Sequence, residues 1–176
     1  MTVAGGFQMM EVKFYRMHED VSVPKFATDE SACLDLKCFF HKDTVVSYGP
    51  DNVKRDLPVV EGKVILPAGS RTLLPTGIIL DIPLGYSMRI HPRSGTSLKL
   101  GLTMVNCEGI VDSDYTEEIL IPIHNTSSTM VEVVHGDRYA QAEFVKSDGH
   151  VFFIERSSPI PQKTDRNGGF GSTGVS

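Results

Sequence analysis

Five short polar segments carry the residue types that could bind phosphate oxygens and handle a proton. In chain order they are 32–36, 92–96, 106–120, 136–141 and 166–174. The second segment places Arg93 and Ser94 beside Gly95, so a guanidinium, a hydroxyl and flexible backbone N–H groups lie together. All three groups suit phosphate oxygens. In the first segment Asp35 is an acid within an apolar run, which taken singly is typical of a turn or cap residue.

The third segment, NCEGIVDSDYTEEIL, contains two carboxylates two residues apart. Asp112 and Asp114 would point to the same side of a strand, but Ser113-Asp114 is also a good turn sequence. We therefore predict a hairpin with Asp112 at its base and Tyr115 just beyond the turn.

Several better-known motifs are excluded by their context. Residues 169–174 match the glycine pattern of a dinucleotide-binding loop, but only Val175 and Ser176 follow them, so no helix can open there. The sequence has no P-loop pattern, and its six histidines lack the spacing of a metal-binding helix. Cys33 and Cys38 lack a second Cys/His pair, which argues against a zinc site. Ser94 lacks the G-x-S-x-G elbow of serine hydrolases.

The elements that position these segments are predicted to be short strands. Glycine and proline divide the chain at short intervals, and the segments between them alternate apolar and polar residues or are rich in Val and Ile. The predicted strands are 11–15, 63–66, 71–74, 77–82, 86–91, 118–124, 130–134 and 151–155. One short helix is predicted at 96–102, and the polar stretch 47–62 is predicted to be a surface loop. Many short strands indicate a sandwich, barrel or jelly roll.

Composition indicates one soluble intracellular domain. The chain has 176 residues and a formal net charge of -5, so electrostatic binding along a nucleic-acid backbone is not expected. Its three cysteines are scattered, which favours reduced thiols in a cytoplasmic setting. No apolar run is long enough to span a bilayer, and the first residues lack the pattern of a secretory signal.

The C-terminal stretch differs from the rest of the chain. From Pro159 onward it is rich in proline and glycine, with Phe170 as its single aromatic residue. Such a segment cannot bury enough apolar surface to be ordered alone. Two interpretations stay open from the residues themselves: a flexible end, or a flap that becomes ordered on a ligand.

Together the five segments resemble the five ordered motifs of the trimeric dUTPase family. The resemblance extends from about residue 25 to residue 174, and GIVDSDY, PRSG and GGFGSTG carry it most specifically. It implies an all-β fold, a distorted jelly-roll barrel or β-clip with one short helix. It further implies a β domain at 11–158 and a flexible C-terminal arm at 159–176, exchanged within a homotrimer so that three subunits build each active site.

The resemblance also implies the activity, which is hydrolysis of dUTP to dUMP and pyrophosphate by water attack on the α-phosphorus. Asp112 would hold the attacking water, and Mg²⁺ would bridge triphosphate oxygens, with Asp35 contacting the ion through water. Such an enzyme keeps uracil out of DNA and supplies dUMP for thymidylate synthesis. The implied partners are the substrate and two further copies of the chain, with neither a membrane nor a nucleic acid.

The resemblance assigns substrate contacts along all of the later motifs. The phosphates would be bound by Arg93, Ser94, Gly95, Gln141 and Arg166. The uracil would be held by Asn106, Gly109, Ile110, Val111 and Leu120, with Tyr115 under the deoxyribose. Phe170 would cover the uracil ring, and Gly171 and Ser172 would be further substrate contacts.

One departure from the family pattern concerns the hairpin. Glu117 stands where many members have glycine, which raises the question of whether the backbone there needs a left-handed conformation. Two alternatives to the hydrolase stay open: a dCTP deaminase-like enzyme, and a non-catalytic regulatory binder that senses nucleotides.

Overall fold

The computed structural model describes residues 10–147, 149 and 151–163. The described residues form thirteen strands and one helix. In chain order these are β1 (Lys13–Arg16), β2 (Leu34–Lys37), β3 (Thr44–Tyr48), β4 (Lys54–Pro58), β5 (Lys63–Leu66), β6 (Arg71–Pro75), β7 (Ile78–Asp81), β8 (Tyr86–Pro92), α1 (Ser94–Leu100), β9 (Leu102–Met104), β10 (Gly109–Val111), β11 (Leu120–Asn125), β12 (Val131–Val134) and β13 (Arg138–Lys146). This confirms the predicted all-β architecture with one short helix.

Two larger sheets organise these strands. One has four strands in the order β10-β8-β13-β2, and the other has five in the order β4-β3-β6-β11-β9. Two further pairs, β1-β7 and β12-β5, complete the ladders. Every pairing is antiparallel. Strands distant in sequence thereby become neighbours, as when Gln141 of β13 lies opposite both Asp35 of β2 and His91 of β8.

The core is formed by alternate residues of the two larger sheets. Leu36, Ile90 and Ala142 of the four-stranded sheet and Leu74 and Ile121 of the five-stranded sheet belong to one buried cluster. Because side chains alternate across a strand, the residues between them point away from this core. In the four-stranded sheet most of these outward residues are polar, among them Asp35, Arg89, His91, Gln141 and Glu143, which leaves one face of the sheet available for chemistry.

The helix follows β8 directly and is two residues offset from the prediction. It covers Ser94–Leu100 and ends at Gly101, whose φ of 65° is left-handed. A side chain at this position would approach Ser127 to 3.1 Å. Glycine therefore meets both the conformational and the steric demand of the turn into β9.

The prediction of a surface loop at 47–62 is wrong. The stretch contains the end of β3 and all of β4, which form an antiparallel pair at the edge of the five-stranded sheet. Ser47 is buried, and its hydroxyl lies 2.8 Å from that of Thr72 on β6. The loop prediction rests on the polar composition and on the breaks at Gly49, Pro50 and Pro58. Charged residues such as those of β4 are also typical of an exposed edge strand.

The prediction of a strand at 151–155 is also wrong for the described chain. These residues have no strand partner, and their apolar side chains face solvent, with Phe152 and Phe153 exposed by 89% and 94%. Conversely, β13, the longest strand among the described residues, is not among the predicted strands. Its inward positions include Ala140 and Ala142, and alanine is depleted in strands, so the alternation is weak in the sequence.

Two further observations concern the described residues only. Their single helix is far too short to cross a membrane, and no other element offers a helical span. All three cysteines lie in the described part of the chain and are free.

Candidate functional site

A cavity of about 410 Å³ lies beside the turn that joins β10 to β11. It brings together most of the residues predicted to hold a uracil ring and the attacking water. The lining consists of Ile90, Asn106, Gly109, Ile110, Val111, Asp112, Asp114, Tyr115, Ile119, Leu120 and Pro122. Most of the lining residues are apolar. The two carboxylates, Asp112 and Asp114, and the amide of Asn106 all come from the single segment 106–120.

The predicted hairpin ladder between the two halves of this segment does not form. Gly109–Val111 pairs with β8, whereas Leu120–Asn125 pairs with β6 and β9, in the other large sheet. The segment therefore crosses from one sheet to the other, and the cavity opens between them. The predicted turn itself is present, because the N–H of Tyr115 donates to the carbonyl of Asp112 at 3.2 Å.

Gly109 allows β10 to lie close against the core. A Cβ at this position would lie 3.1 Å from Cβ of Ile90. β10 is also the edge of its sheet, so the backbone groups on its outer side have no strand partner among the described residues. An edge of this kind offers unpaired N–H and C=O groups in a row, which are free to form hydrogen bonds with a ligand.

Asp112 is exposed at the rim of the cavity, and among the described residues its carboxylate has neither a hydrogen bond nor an ion pair. An unengaged carboxylate can accept a proton from water. Tyr115, opposite in the lining, donates its hydroxyl to the carbonyl of Glu118 at 2.9 Å. Burial raises the pKa of Tyr115, with smaller contributions from the charges of Glu117 and Glu118, so its hydroxyl stays protonated.

The question raised by Glu117 is answered by the backbone. Among the described non-glycine residues, only Asn52 and Glu61 have a positive φ. Glu117 is exposed and needs no left-handed conformation. Its charge therefore points to solvent, and the glycine that many members have here is not required by this turn.

A second polar cluster lies at the opposite edge of the four-stranded sheet. The Oδ1 atom of Asp35 is 2.9 Å from Nε of Arg93, and its Oδ2 atom accepts from Nη1 of Arg138 at 3.0 Å. Arg93 also donates to the carbonyl of Arg138 at 3.2 Å. Gln141 lies opposite Asp35 and donates to the carbonyl of Pro92 at 3.0 Å. The cluster thus joins the first, second and fourth polar segments.

Ser94 and Gly95 continue from this cluster into the first turn of α1. Both residues are exposed, and a Cβ built on Gly95 would meet no atom within 4 Å. The surface beside Arg93 is therefore open and accessible to an anion. Three of its groups, the guanidinium, the hydroxyl and the glycine N–H, are donors of the kind that phosphate oxygens accept.

The cluster fits a hydrated magnesium ion carried by a nucleotide. Among the described residues no group of three or more His, Cys, Asp or Glu side chains could enclose a metal. Mg²⁺ in nucleotide sites is typically held by one or two carboxylates, water and the phosphates themselves. Each oxygen of Asp35 has one guanidinium partner, which leaves acceptor capacity on the carboxylate for a metal-bound water.

The cavity and the cluster are separate within one chain. β10 and β2 are the two edges of the four-stranded sheet, three strand spacings or about 14 Å apart. The cavity lining includes none of the predicted phosphate and metal contacts Asp35, Arg93, Ser94, Gly95 and Gln141. The remaining predicted contacts, Arg166, Phe170, Gly171 and Ser172, lie outside the described residues.

Two residues of these sites were missed from the sequence. Arg138 shares the carboxylate of Asp35, and Glu118 accepts the hydroxyl of Tyr115 through its carbonyl. Arg138 had a signal, since it lies within the fourth polar segment as a guanidinium three residues before Gln141. Glu118 had none, because its role depends on backbone contacts that only the folded chain contains.

Comparison with known proteins gives a consistent result. The family model described as dUTPase matches residues 56–174, more than half of the chain. A deoxyuridine 5'-triphosphate nucleotidohydrolase of Finegoldia magna is 38% identical over 153 residues, covering 86% of this chain and 91% of the relative. The protein of the same name from Syntrophotalea carbinolica is 36% identical over 164 residues, covering 93% and 96%.

Solved structures share the fold at lower identity. The dUTPase of Staphylococcus bacteriophage 80alpha with dUPNHPP matches with a TM-score of 0.70 at 17% identity, covering 95% of this chain and 100% of that chain. A variant of the dUTPase from phage phi11 of S. aureus, described with a structural Mg(II) ion, has a TM-score of 0.59 at 16% identity and covers 88% and 99%. These matches confirm the predicted fold class. By its motifs, its fold and the extent of these relationships, the chain belongs to the dUTPase family.

Proposed function

We propose that this protein is a dUTP diphosphatase, which hydrolyses dUTP to dUMP and pyrophosphate by attack of water on the α-phosphorus. The observation that carries the proposal is the cavity beside β10, where an unengaged Asp112 carboxylate lies with the edge-strand backbone and Tyr115. The names of the relatives and their coverage of this chain support the same substrate.

In this proposal Asp112 orients the attacking water and accepts its proton. Its carboxylate is free of protein partners among the described residues, so it does not have to break a bond to take this role. A general base of this kind contributes typically about 10²–10⁴-fold to a rate. The rest of the acceleration would come from positioning and from charge stabilisation around the phosphates.

The outer edge of β10 would recognise uracil through main-chain groups, with the Asn106 side chain beside them. A base whose donors and acceptors are reversed, such as cytosine, would leave buried backbone groups unpaired. Such a mismatch can discriminate by about 10⁴–10⁵. Tyr115 would pack against the deoxyribose and disfavour a 2′-hydroxyl, which would exclude UTP.

The cluster around Asp35 would bind the triphosphate. Arg93, Ser94 and Gly95 offer donors to the phosphoryl oxygens, and Gln141 lies beside them on the same face of the sheet. When bound with the substrate, Mg²⁺ would offset the charge of the departing pyrophosphate. Asp35 would contact that ion through water, while Arg93 and Arg138 hold the carboxylate in place.

We further propose a homotrimer whose active sites are shared. The separation of the cavity from the Asp35 cluster within one chain supports this, because the nucleobase and phosphate contacts would then come from two subunits. The exposed apolar residues from Val151 to Ile154 support it as well, since such a segment is typical of a protein interface. The β domain at 11–158 would form the body, and the arm at 159–176 would close a neighbouring site with Arg166 and Phe170.

This assignment places the enzyme in nucleotide metabolism, where it would keep uracil out of DNA and supply dUMP for thymidylate synthesis. Three free cysteines support a reducing compartment, and we place it in the cytoplasm.

The test is release of pyrophosphate from dUTP, dCTP and UTP by the purified protein with Mg²⁺. We expect rapid release from dUTP and little from the other two. Absence of release from dUTP would reject the proposed function. Ammonia from dCTP would select the deaminase-like alternative, and tight binding of dUTP without turnover would select the regulatory binder.

A further inference from the structure

The segment that carries Tyr115 is fastened at one point to the turn before β7. The Oε1 atom of Glu118 accepts the N–H of Gly77 at 2.7 Å. The neighbouring Ile119 donates its N–H to the carbonyl of Ile78 at 2.8 Å and accepts the hydroxyl of Thr76 at 2.7 Å. Three hydrogen bonds thus hold residues 118 and 119 against residues 76–78.

The side chain of Glu118 is only 16% exposed, which is uncommon for a glutamate and is typical of one that has binding partners. Its second oxygen, Oε2, lies 3.7 Å from Nε2 of His41. That nitrogen is buried and has no hydrogen-bond partner among the described residues. The carboxylate therefore lies between a backbone N–H on one side and an imidazole on the other, and both contacts restrict its position.

The anchor point on the other side accepts only glycine. Gly77 has a φ of +69°, and a Cβ there would lie 2.6 Å from Cγ2 of Val21. The backbone N–H that Glu118 uses is consequently held in a fixed orientation by the local packing. Because the Gly77 N–H is fixed, it fixes the position of the Glu118 carboxylate and thereby that of the segment that follows Tyr115.

Tyr115 is connected to this anchor by its own hydroxyl. The hydroxyl donates to the carbonyl of Glu118 at 2.9 Å, so the ring is held at both its backbone and its outer end. The same ring lines the cavity. A shift of the Glu118 backbone would move the hydroxyl contact and tilt the ring relative to a bound nucleotide.

We propose that Glu118 is a positioning residue that sets how close the Tyr115 ring lies to the sugar, and thereby the preference for deoxyribonucleotides over ribonucleotides. The inference rests on the proposed function, because it takes a dUTP-binding cavity as its site. Glu118 is not among the residues that line the cavity, so in this proposal it contacts neither the substrate nor the attacking water. It acts through the backbone carbonyl that receives the tyrosine hydroxyl.

The test compares the ratio of kcat/KM for dUTP to kcat/KM for UTP in three single variants. Glu118→Ala removes the acceptor of the Gly77 N–H and should lower the ratio by about tenfold or more. Glu118→Gln keeps an amide oxygen in that place and should stay within about threefold of the wild type. Glu117→Ala changes the adjacent exposed glutamate, which makes no hydrogen bond among the described residues, and should leave the ratio unchanged.

Tyr115→Phe provides a second arm that keeps the ring and removes its hydroxyl. It should lower the dUTP to UTP ratio as Glu118→Ala does, and the double variant should lose little beyond the larger single effect, since both changes act on one linkage. Fully additive effects of the two changes would overturn the proposal. Equal losses for dUTP and UTP in Glu118→Ala, accompanied by a lower Tm, would also overturn it by showing a purely structural role.

Failure of the proposed function is distinguishable in the same experiment. It would appear as no turnover of dUTP by the wild type. In that event the kinetic ratio is replaced by the ratio of the dissociation constants of dUTP and UTP, measured by calorimetry on the same variants. If this binding ratio is unchanged in Glu118→Ala, the inference is overturned.

Discussion

Asp35 on β2 and Arg93, the residue that follows β8, form an ion pair of 2.9 Å, although β13 lies between β2 and β8 in the sheet. Arg138 takes the other carboxylate oxygen at 3.0 Å. Two guanidinium groups on one carboxylate leave a net positive charge at this edge. In the proposed function this pair would serve two purposes, because it would orient Arg93 towards phosphate oxygens and keep a carboxylate beside them for a hydrated cation.

Replacement of Asp35 by Asn should weaken both the orientation of Arg93 and the binding of the hydrated cation. We expect kcat/KM for dUTP to fall by about tenfold or more, and the Mg²⁺ concentration that gives half-maximal activity to rise, because a charged acceptor has been removed. A magnesium titration of activity measures both effects. Asp51→Asn, which breaks the exposed pair with Arg55, is the control and should change neither. An unchanged magnesium dependence in Asp35→Asn would argue against the role of this carboxylate.

Replacement of Asp112 by Asn should affect turnover and spare binding. Its carboxylate has no protein partner among the described residues, so the substitution should not disturb the fold. We expect kcat to fall by about 10²–10⁴-fold, while a non-hydrolysable dUTP analogue binds nearly as before. Steady-state kinetics and calorimetry separate the two quantities. Asp56→Asn, at an exposed position of β4, serves as the reference variant. Parallel loss of binding and turnover would contradict the water-positioning role.

Removal of residues 166–176 should preserve assembly and strongly lower kcat/KM. The removed residues include the arginine and the aromatic residue that the family motif assigns to the phosphates and the base, and closure over a substrate excludes water from it. Light scattering reports the oligomer and a pyrophosphate assay the activity. A chain ending at Gly174 keeps the whole motif and should retain activity. Full activity of the shorter chain would disprove a closing role for this segment.

Alkaline pH should destabilise the protein through Cys38. Its thiol is buried and donates to the carbonyl of Val134 at 3.0 Å. Burial raises the pKa of Cys38 from 9.0 to about 12, and the nearby charge of Asp137 acts in the same direction. The folded state therefore keeps its proton where the unfolded chain loses it. This contribution is complete below pH 9 and is lost as pH rises from 9 towards 12.

Urea unfolding at pH 8 and pH 10.5 measures this effect. The wild type should lose about 2 kcal/mol more than Cys38→Ala over that interval. Tyr139, whose pKa burial raises to about 12, titrates in both proteins, and the charge of Cys38 adds to that rise, so the difference between the two proteins reports the thiol together with this smaller coupling. Identical losses in the two proteins would show that Cys38 does not titrate in this way.

Prediction from the sequence succeeded where the signal was local. The 63–66 strand was predicted with its observed bounds, and the turn at Ser113-Asp114 is present. Strand β4 was missed because its charged residues are typical of a loop as well as of an edge strand. The strand predicted at 151–155 has the right residue types, but a strand also requires a neighbouring edge, and the described chain provides none.

The sequence by itself determined the all-β class, the order of the five motifs and the family, because residue type and spacing along the chain carry those properties. Tertiary structure alone decided that Asp35 lies against Arg93 and Arg138, that β10 and β11 belong to different sheets, and that Glu118 fastens the Tyr115 segment. The physical reason is that sheet pairing joins residues by register, and the sequence does not encode register locally. A single strand shows which residues face the core, but only its partners determine which side chains meet.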